Sequence, residues 1–445
     1  MICALCHEEK LLPFARGGIE RVIEQSSRYV DDSTRLSLHR GEIVDLLRES
    51  NYWARQRHQD RIEAADVAQA VATARHRNSQ YAELMLRQME RGTLMIDTEG
   101  AVPGQGNGLT VIQMGDHRFG RPARITATAR IGSGRMIDIE RETKLGGAIH
   151  SKGVLILSAF LGNRYARNSP LSLNASLVFE QSYGAVEGDS ASALELCTLL
   201  SAIAGVPLKQ QFAVTGSVNQ HGRIQAIGGV NEKIEGFFEL CSSRGLSGDQ
   251  GVIIPAANVE HLTLHSEVVE ACRDGHFHIY AVAEIDEMLA LLTGQDAGEM
   301  DRDGLYPPRT LNGRVQRQLQ DWYETARKQH SQENGRDPPP GADPRSRCLR
   351  SRQAGALRAT GSGAGHRSGS PADRGSGPPY RGGSAILPGS DTPHGALAPA
   401  QSRPARAGEP AAVAGAAAAA SATGAAKRRA MAPAHLPWSL VRGAW

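Results

Sequence analysis

EGDSASALELC, Glu187 to Cys197, sets two acids and a serine directly ahead of an apolar run with helical spacing. A serine one residue after an aspartate at a helix start usually does no more than satisfy backbone N–H groups. Leu194, Cys197 and Leu200 fall on one face of the expected helix, and Gly205 with Pro207 ends it. Ser190 is expected on the first turn, where free N–H groups are able to hold an oxyanion. Whether it is a cap or a nucleophile depends on a base supplied from elsewhere in the chain.

Several known chemistries are excluded by single positions. A G-x-S-x-G elbow requires glycine where Ser192 stands. The chain holds no H-E-x-x-H, and the dipeptide Gly-Lys never occurs, so neither a zincin nor a phosphate-binding P-loop is encoded. AVAEIDEML, around Asp286 and Glu287, bears a faint likeness to a metal-binding strand end but reads as a helix start without that loop. The candidate base is Lys233 in IGGVNEKIEGFFELC, where Gly228 and Gly229 end a strand and a helix follows. Ile234, Phe237, Phe238 and Cys241 form its apolar face. Lys233 borders that face, so its amine is open to desolvation, which lowers a lysine pKa toward general-base range. The competing reading is a solvated lysine that snorkels from a helix edge.

Around these two residues the chain mixes strands and helices. LSLNASLVF alternates, with Leu171, Leu173, Ala175, Leu177 and Phe179 on one face. FAVTGSVNQHGRIQAI reads as two strands about an Asn219–Gly222 turn. GVIIP and HFHIYAVA are short buried strands, and DEMLALLTG is a closing helix. The region 93–296 is therefore α+β and holds most of the expected core. Residues 1–92 are helical in pattern: GGIERVIEQSSRYV, GEIVDLLRESNYWARQR, and a third helix from Ala65 to Arg91 with Val67, Ala70 and Val71 on one face. Residues 297–336 form a partly helical extension. From 337 to 445 glycine, proline, alanine, serine and arginine dominate without apolar periodicity, a composition expected to stay disordered.

The 445 residues suffice for two or three domains, with 40% apolar and 22% charged residues. A net charge of +3 makes no case for a polyanionic partner. The six cysteines, Cys3, Cys6, Cys197, Cys241, Cys272 and Cys348, show no dense disulfide framework, the stretch MICALCHEEK lacks the long apolar run of a signal peptide, and no run approaches the roughly 18 apolar residues of a membrane span. A cytoplasmic protein with reduced thiols is expected. Cys3-x-x-Cys6-His7 lacks partners for a four-ligand metal site.

EGDSAS followed by VTGSVNQHGRIQAIGGVNEKIEGF resembles the proteolytic domain of Lon-type ATP-dependent proteases, in particular the LonB-like bacterial branch. GQGNGLTVIQMGDHRFGRPARITATARIGSGRMIDIERE, LGGAIHSKGVLILSAFL, GVIIPAANVEHL and FHIYAVAEIDEMLALLTG resemble that domain's remaining strands and helices, in order. The resemblance implies an α+β Lon proteolytic domain related to a ribosomal-protein fold, over 93–296. It implies a Ser–Lys dyad of Ser190 and Lys233, with Thr215 orienting the lysine and Glu187 and Asp189 tuning the resting site. Ser217 departs from the glutamate common after the Thr-Gly pair. Residues 1–92 resemble only the helical lid of an AAA+ module, with Arg40 in the neighbourhood of a nucleotide-sensing position. The chain looks like the C-terminal part of a larger protease, or the product of a split or altered gene. No cofactor is expected on it, ATP and Mg²⁺ belonging to the family's ATPase module. The implied partners are unfolded proteins or peptides, copies of the same chain in a hexamer, and a separate ATPase, with no membrane. Two other classes stand beside this one: an inactive remnant, or a non-catalytic assembly or nucleic-acid-associated protein on the same fold, as in RadA-type recombination proteins. Those lack the dyad, whereas both residues are present here.

Overall fold

The computed structural model of the chain describes residues 1–115, 117–167 and 169–335. The 337–445 tail and Cys348 lie outside the described residues. A mixed sheet runs, edge to edge, through His278–Val282, Gly251–Pro255, Phe212–Val214, Gln105–Met114, His117–Ile131, Leu173–Phe179 and Arg135–Asp138. The first four of these pair in parallel. His117–Ile131 is antiparallel to both its neighbours, and Arg135–Asp138 closes the edge in parallel.

The alternation read in LSLNASLVF holds, since Leu173, Ala175, Leu177 and Phe179 are buried and the residues between them are not. In Phe212–Val214 and Gly251–Pro255 successive residues serve opposite faces. Val214 and Ile253 join the core around the helix Ser192–Ala204, while Ala213, Val252 and Ile254 join the core around the helix Val230–Arg244. The sheet is thus enclosed between these two helices, here called the serine helix and the lysine helix. That explains why every residue of GVIIP is buried.

Two sequence expectations need correcting. FAVTGSV is not one strand: Phe212–Val214 belongs to the large sheet, and Ser217–Val218 pairs instead with Ile224–Gln225 in a separate hairpin. Its Asn219–Gly222 turn is as expected, with the Asn219 carboxamide accepting the N–H groups of His221 and Arg223. The helix expected over Ala65–Arg91 is two, Ala64–Asn78 and Gln80–Glu90. Between them the Ser79 hydroxyl donates to the His76 carbonyl at 3.0 Å and to Glu83 Oε1 at 2.7 Å. Local bonding of this kind competes with helix continuation.

The N-terminal helices Arg16–Arg28, Arg40–Gln56 and Ala64–Asn78 enclose their own core of Val22, Ile43, Leu46, Leu47, Ile62, Val67 and Ala70. Gln80–Glu90 packs elsewhere, since Met89 joins Ile96 and Leu240 of the lysine helix. The extension after Thr293 is part of the fold. Helix Leu311–Gly335 puts Leu311, Val315 and Leu319 into the same core as the serine helix.

Candidate active site

Ser190 and Lys233 approach from opposite faces of the sheet and meet beyond the end of the strand Phe212–Val214. After Val214 the chain leaves the strand, and Gly216 is bonded both ways to the serine loop. Its N–H donates to the Ser190 carbonyl at 2.7 Å, and its carbonyl accepts the Ala193 N–H at 3.1 Å. Thr215 is held on the other side by its N–H on the Ile253 carbonyl. The Lys233 Nζ lies 2.9 Å from Ser190 Oγ and 3.2 Å from Thr215 Oγ1.

Lys233 is only 3% exposed. Burial pushes its pKa down to about 8, although Glu232 and Asp189 favour the charged form. The snorkelling alternative therefore does not describe this lysine. Its helix begins after Gly229, which takes a left-handed conformation at φ 66°. The preceding strand ends at Gln225, short of the two glycines. Ile234, Phe237, Phe238 and Cys241 are buried, as their spacing suggested.

Ser190 is not on the first helical turn. It sits in the turn preceding the helix, which starts at Ser192. The Ser192 N–H is taken by the Asp189 carbonyl and the Ala193 N–H by Gly216. The backbone N–H groups of Ser190 and Ala191, by contrast, donate no hydrogen bond among the described residues. The rest of the serine helix is buried on all sides rather than along one stripe: Leu194, Leu196, Cys197, Leu199 and Leu200 are fully enclosed.

Asp189 is held by Ser217, whose hydroxyl donates to its Oδ2 at 2.8 Å. Ser217 is buried, so the position that departs from the family pattern contacts the acid beside Ser190. Glu187 is exposed. Arg40 is exposed and pairs with Glu8, which gives it a surface role. Asp286 pairs with Arg164, and Glu287 completes a capping box with Glu284, so this segment is the helix start its sequence suggested. Cys3 and Cys6 are free thiols on the helix Ile2–Glu8, as are the other described cysteines. Two features escaped sequence reasoning: the facing glycines Gly120 and Gly236, and a buried group of Asp138, Glu140, His150 and Glu195.

Residues 13–77 match the family model of the archaeal LonB AAA+ ATPase lid domain, and residues 179–294 that of the Lon protease (S16) C-terminal proteolytic domain. A protein described as "Putative Lon protease homolog" in Escherichia coli is 51% identical over 213 residues, 47% of this chain and 36% of that protein. One of the same description in Haemophilus influenzae is 42% identical over 250 residues, 56% of this chain and 41% of its own length. The archaeal Lon protease of Thermococcus kodakarensis is 28% identical over 293 residues, 66% of this chain and 43% of its own. The chain thus spans well under half the length of these relatives. In order along the sequence it matches a LonB-type AAA+ lid domain and a Lon-type proteolytic domain, and over these two regions it is similar to Lon proteases.

Proposed function

We propose that this chain is a serine endopeptidase in which Ser190 is the nucleophile and Lys233 the general base. The observation that carries the reading is the 2.9 Å approach of a buried amine to the serine hydroxyl. Neutral Lys233 accepts the Ser190 proton as Oγ attacks a peptide carbonyl. The developing oxyanion falls to the free N–H groups at Ser190 and Ala191 rather than to the helix itself. The lysine ammonium then gives its proton to the departing amine. Water, deprotonated by the same amine, hydrolyses the acyl ester. Thr215 orients Lys233, and Asp189 sets the charge around it.

The substrates are unfolded or damaged proteins and peptides. Threading of folded substrates requires an ATPase with its ATP and Mg²⁺, located in a longer protein or in a separate partner, because the chain holds no P-loop. Assembly into a ring of six copies belongs to the same proposal. The free thiols of the described cysteines support a cytoplasmic setting. Among the described residues no helix is long and apolar enough to cross a membrane.

The test is cleavage of an unstructured fluorogenic peptide and of casein, with and without ATP, by the parent chain, Ser190→Ala and Lys233→Ala. Cleavage independent of ATP, and lost by about 10²–10⁴-fold or more in both variants, is expected. Cleavage that survives in either variant overturns the dyad, and no cleavage by the parent overturns an autonomous peptidase.

A further inference from the structure

Behind the serine helix lies a set of ionisable side chains that peptide hydrolysis does not use. Asp138 ends the strand Arg135–Asp138, and its Oδ1 accepts the Arg141 N–H at 3.4 Å. Glu140 follows in the short helix Ile139–Glu142. His150 stands on the first turn of the helix Ala148–Tyr165, and Glu195 on the serine helix, one turn beyond Ser190. All four are at most 4% exposed.

The donor atoms of Asp138, Glu140 and His150 all lie within 4.8 Å of one another. The His150 Nε2 is 3.3 Å from Asp138 Oδ1, and its Nδ1 is 3.7 Å from Glu195 Oε1. Glu140 Oε1 accepts the Phe179 N–H at 2.7 Å, which leaves the second oxygen of that carboxylate. Asp138 Oδ2 is buried and has no hydrogen-bond partner.

Two facts set this group apart from a closed hydrogen-bonded network. Three carboxylates face a single imidazole, and among the described residues no arginine or lysine pairs with any of them. An orphaned carboxylate oxygen in the interior is costly and calls for a donor, a water or a cation to satisfy it. Donors about 2.0–2.1 Å from a tetrahedral ion lie about 3.3 Å apart, close to the Nε2–Oδ1 separation found here.

We propose that Asp138, Glu140 and His150 hold one divalent transition-metal ion, with the Glu195 carboxylate 3.7 Å behind the Nδ1 of His150 favouring the tautomer that leaves Nε2 free for the ion. One imidazole with two carboxylates suits zinc or manganese. A carboxylate behind the ligating imidazole is the usual supporting arrangement. The ion would tie the sheet edge and the helix Ala148–Tyr165 to the serine helix, so its role is to brace the nucleophile's support.

The experiment uses the full chain with Cys3→Ser and Cys6→Ser, which removes the N-terminal thiols as competing ligands. After chelator treatment the protein is loaded with Co²⁺ or Zn²⁺ and desalted. Bound metal is counted by plasma mass spectrometry, and the Co²⁺ visible spectrum is recorded. One ion per chain is expected, with a coordinated Co²⁺ spectrum that shows no thiolate charge transfer. Asp138→Asn and Glu140→Gln, which remove direct ligands, should each weaken binding by more than the about 10–100-fold typical of losing a supporting outer-shell group. Circular dichroism on both variants keeps the result readable, and Glu140→Gln decides if Asp138→Asn does not fold. No stoichiometric ion in the parent, or undiminished binding in a folded variant, overturns the site.

Discussion

Gly236 of the lysine helix lies directly on the backbone of Gly120 in the strand His117–Ile131. A β-carbon on Gly236 would overlap the Gly120 carbonyl, and one on Gly120 would overlap the Glu232 carbonyl next to Lys233. This pair sets how close the helix comes to the sheet, and so where the Lys233 amine ends. Gly236→Ala is expected to lift the helix, lower stability by about 1–3 kcal/mol and cut peptide cleavage at least tenfold. Gly228→Ala, where an added carbon meets nothing within 4 Å, should leave both nearly unchanged. Thermal unfolding and peptidase assays on the two variants check this. Equal behaviour of the two would remove the packing argument.

The pH dependence of cleavage follows from the buried amine. Lys233 must be neutral to accept a proton, and burial puts its pKa at about 8. The rate constant kcat/KM should therefore rise as pH increases through 8 and level off above it. Lys233→Arg should be inactive at every pH, because a guanidinium stays charged. A pH–rate profile on a short peptide reads this directly. A profile already flat from pH 6 would contradict a lysine base.

The same burial costs stability. The unfolded chain keeps its lysine proton up to about 10.5, whereas the folded chain releases it above about 8. Between those values the unfolded state binds more protons, so the parent gains stability as pH rises. Below pH 8 the full penalty applies. Lys233→Met should thus be more stable than the parent at pH 7 by roughly 3 kcal/mol, an advantage that fades between pH 8 and 10.5. Denaturant titrations at pH 7 and pH 10 test both the sign and the window.

Thr215→Val preserves shape and removes the hydroxyl 3.2 Å from the Lys233 amine. A hydrogen bond to a group that carries charge is worth about 1.5–3 kcal/mol. A fall in kcat of roughly 10–100-fold with little change in KM is expected, together with a shifted pH profile. A loss confined to KM would assign Thr215 to substrate binding instead.

Arg28 of the lid helix makes a two-pronged pair with Glu235, at 2.7 and 2.6 Å, two residues from Lys233. Arg28 also donates to the Thr263 carbonyl at 2.6 Å. Burial disfavours the Glu235 carboxylate, but Arg28 and His265 outweigh it and hold its pKa below the ordinary value. Arg28→Ala leaves that anion buried and should cost about 3–5 kcal/mol, while replacing both partners with methionine should recover most of it. The pair's contribution is present above the ordinary carboxylate range and is lost as pH falls through the lowered value. Denaturant unfolding and limited proteolysis at the lid junction read these effects.

Local pattern settled much of this protein. Alternation in LSLNASLVF and the apolar spacing of VNEKIEGFFELC are properties of a strand and a helix by themselves, and both appear where expected. The Ser190–Lys233 pairing was legible from motif resemblance, since 43 residues separate the two and no short-range rule joins them. Tertiary structure alone decided the rest. The chain leaves the sheet after Val214, where Gly216 donates to the Ser190 carbonyl and accepts the Ala193 N–H, and those partners exist only once the serine loop is in place. Lys233 owes its depressed pKa to water excluded by the packed fold, which the spacing of its helix suggested without measuring. Asp138, Glu140, His150 and Glu195 stand on separate elements, and only folding brings their charges together.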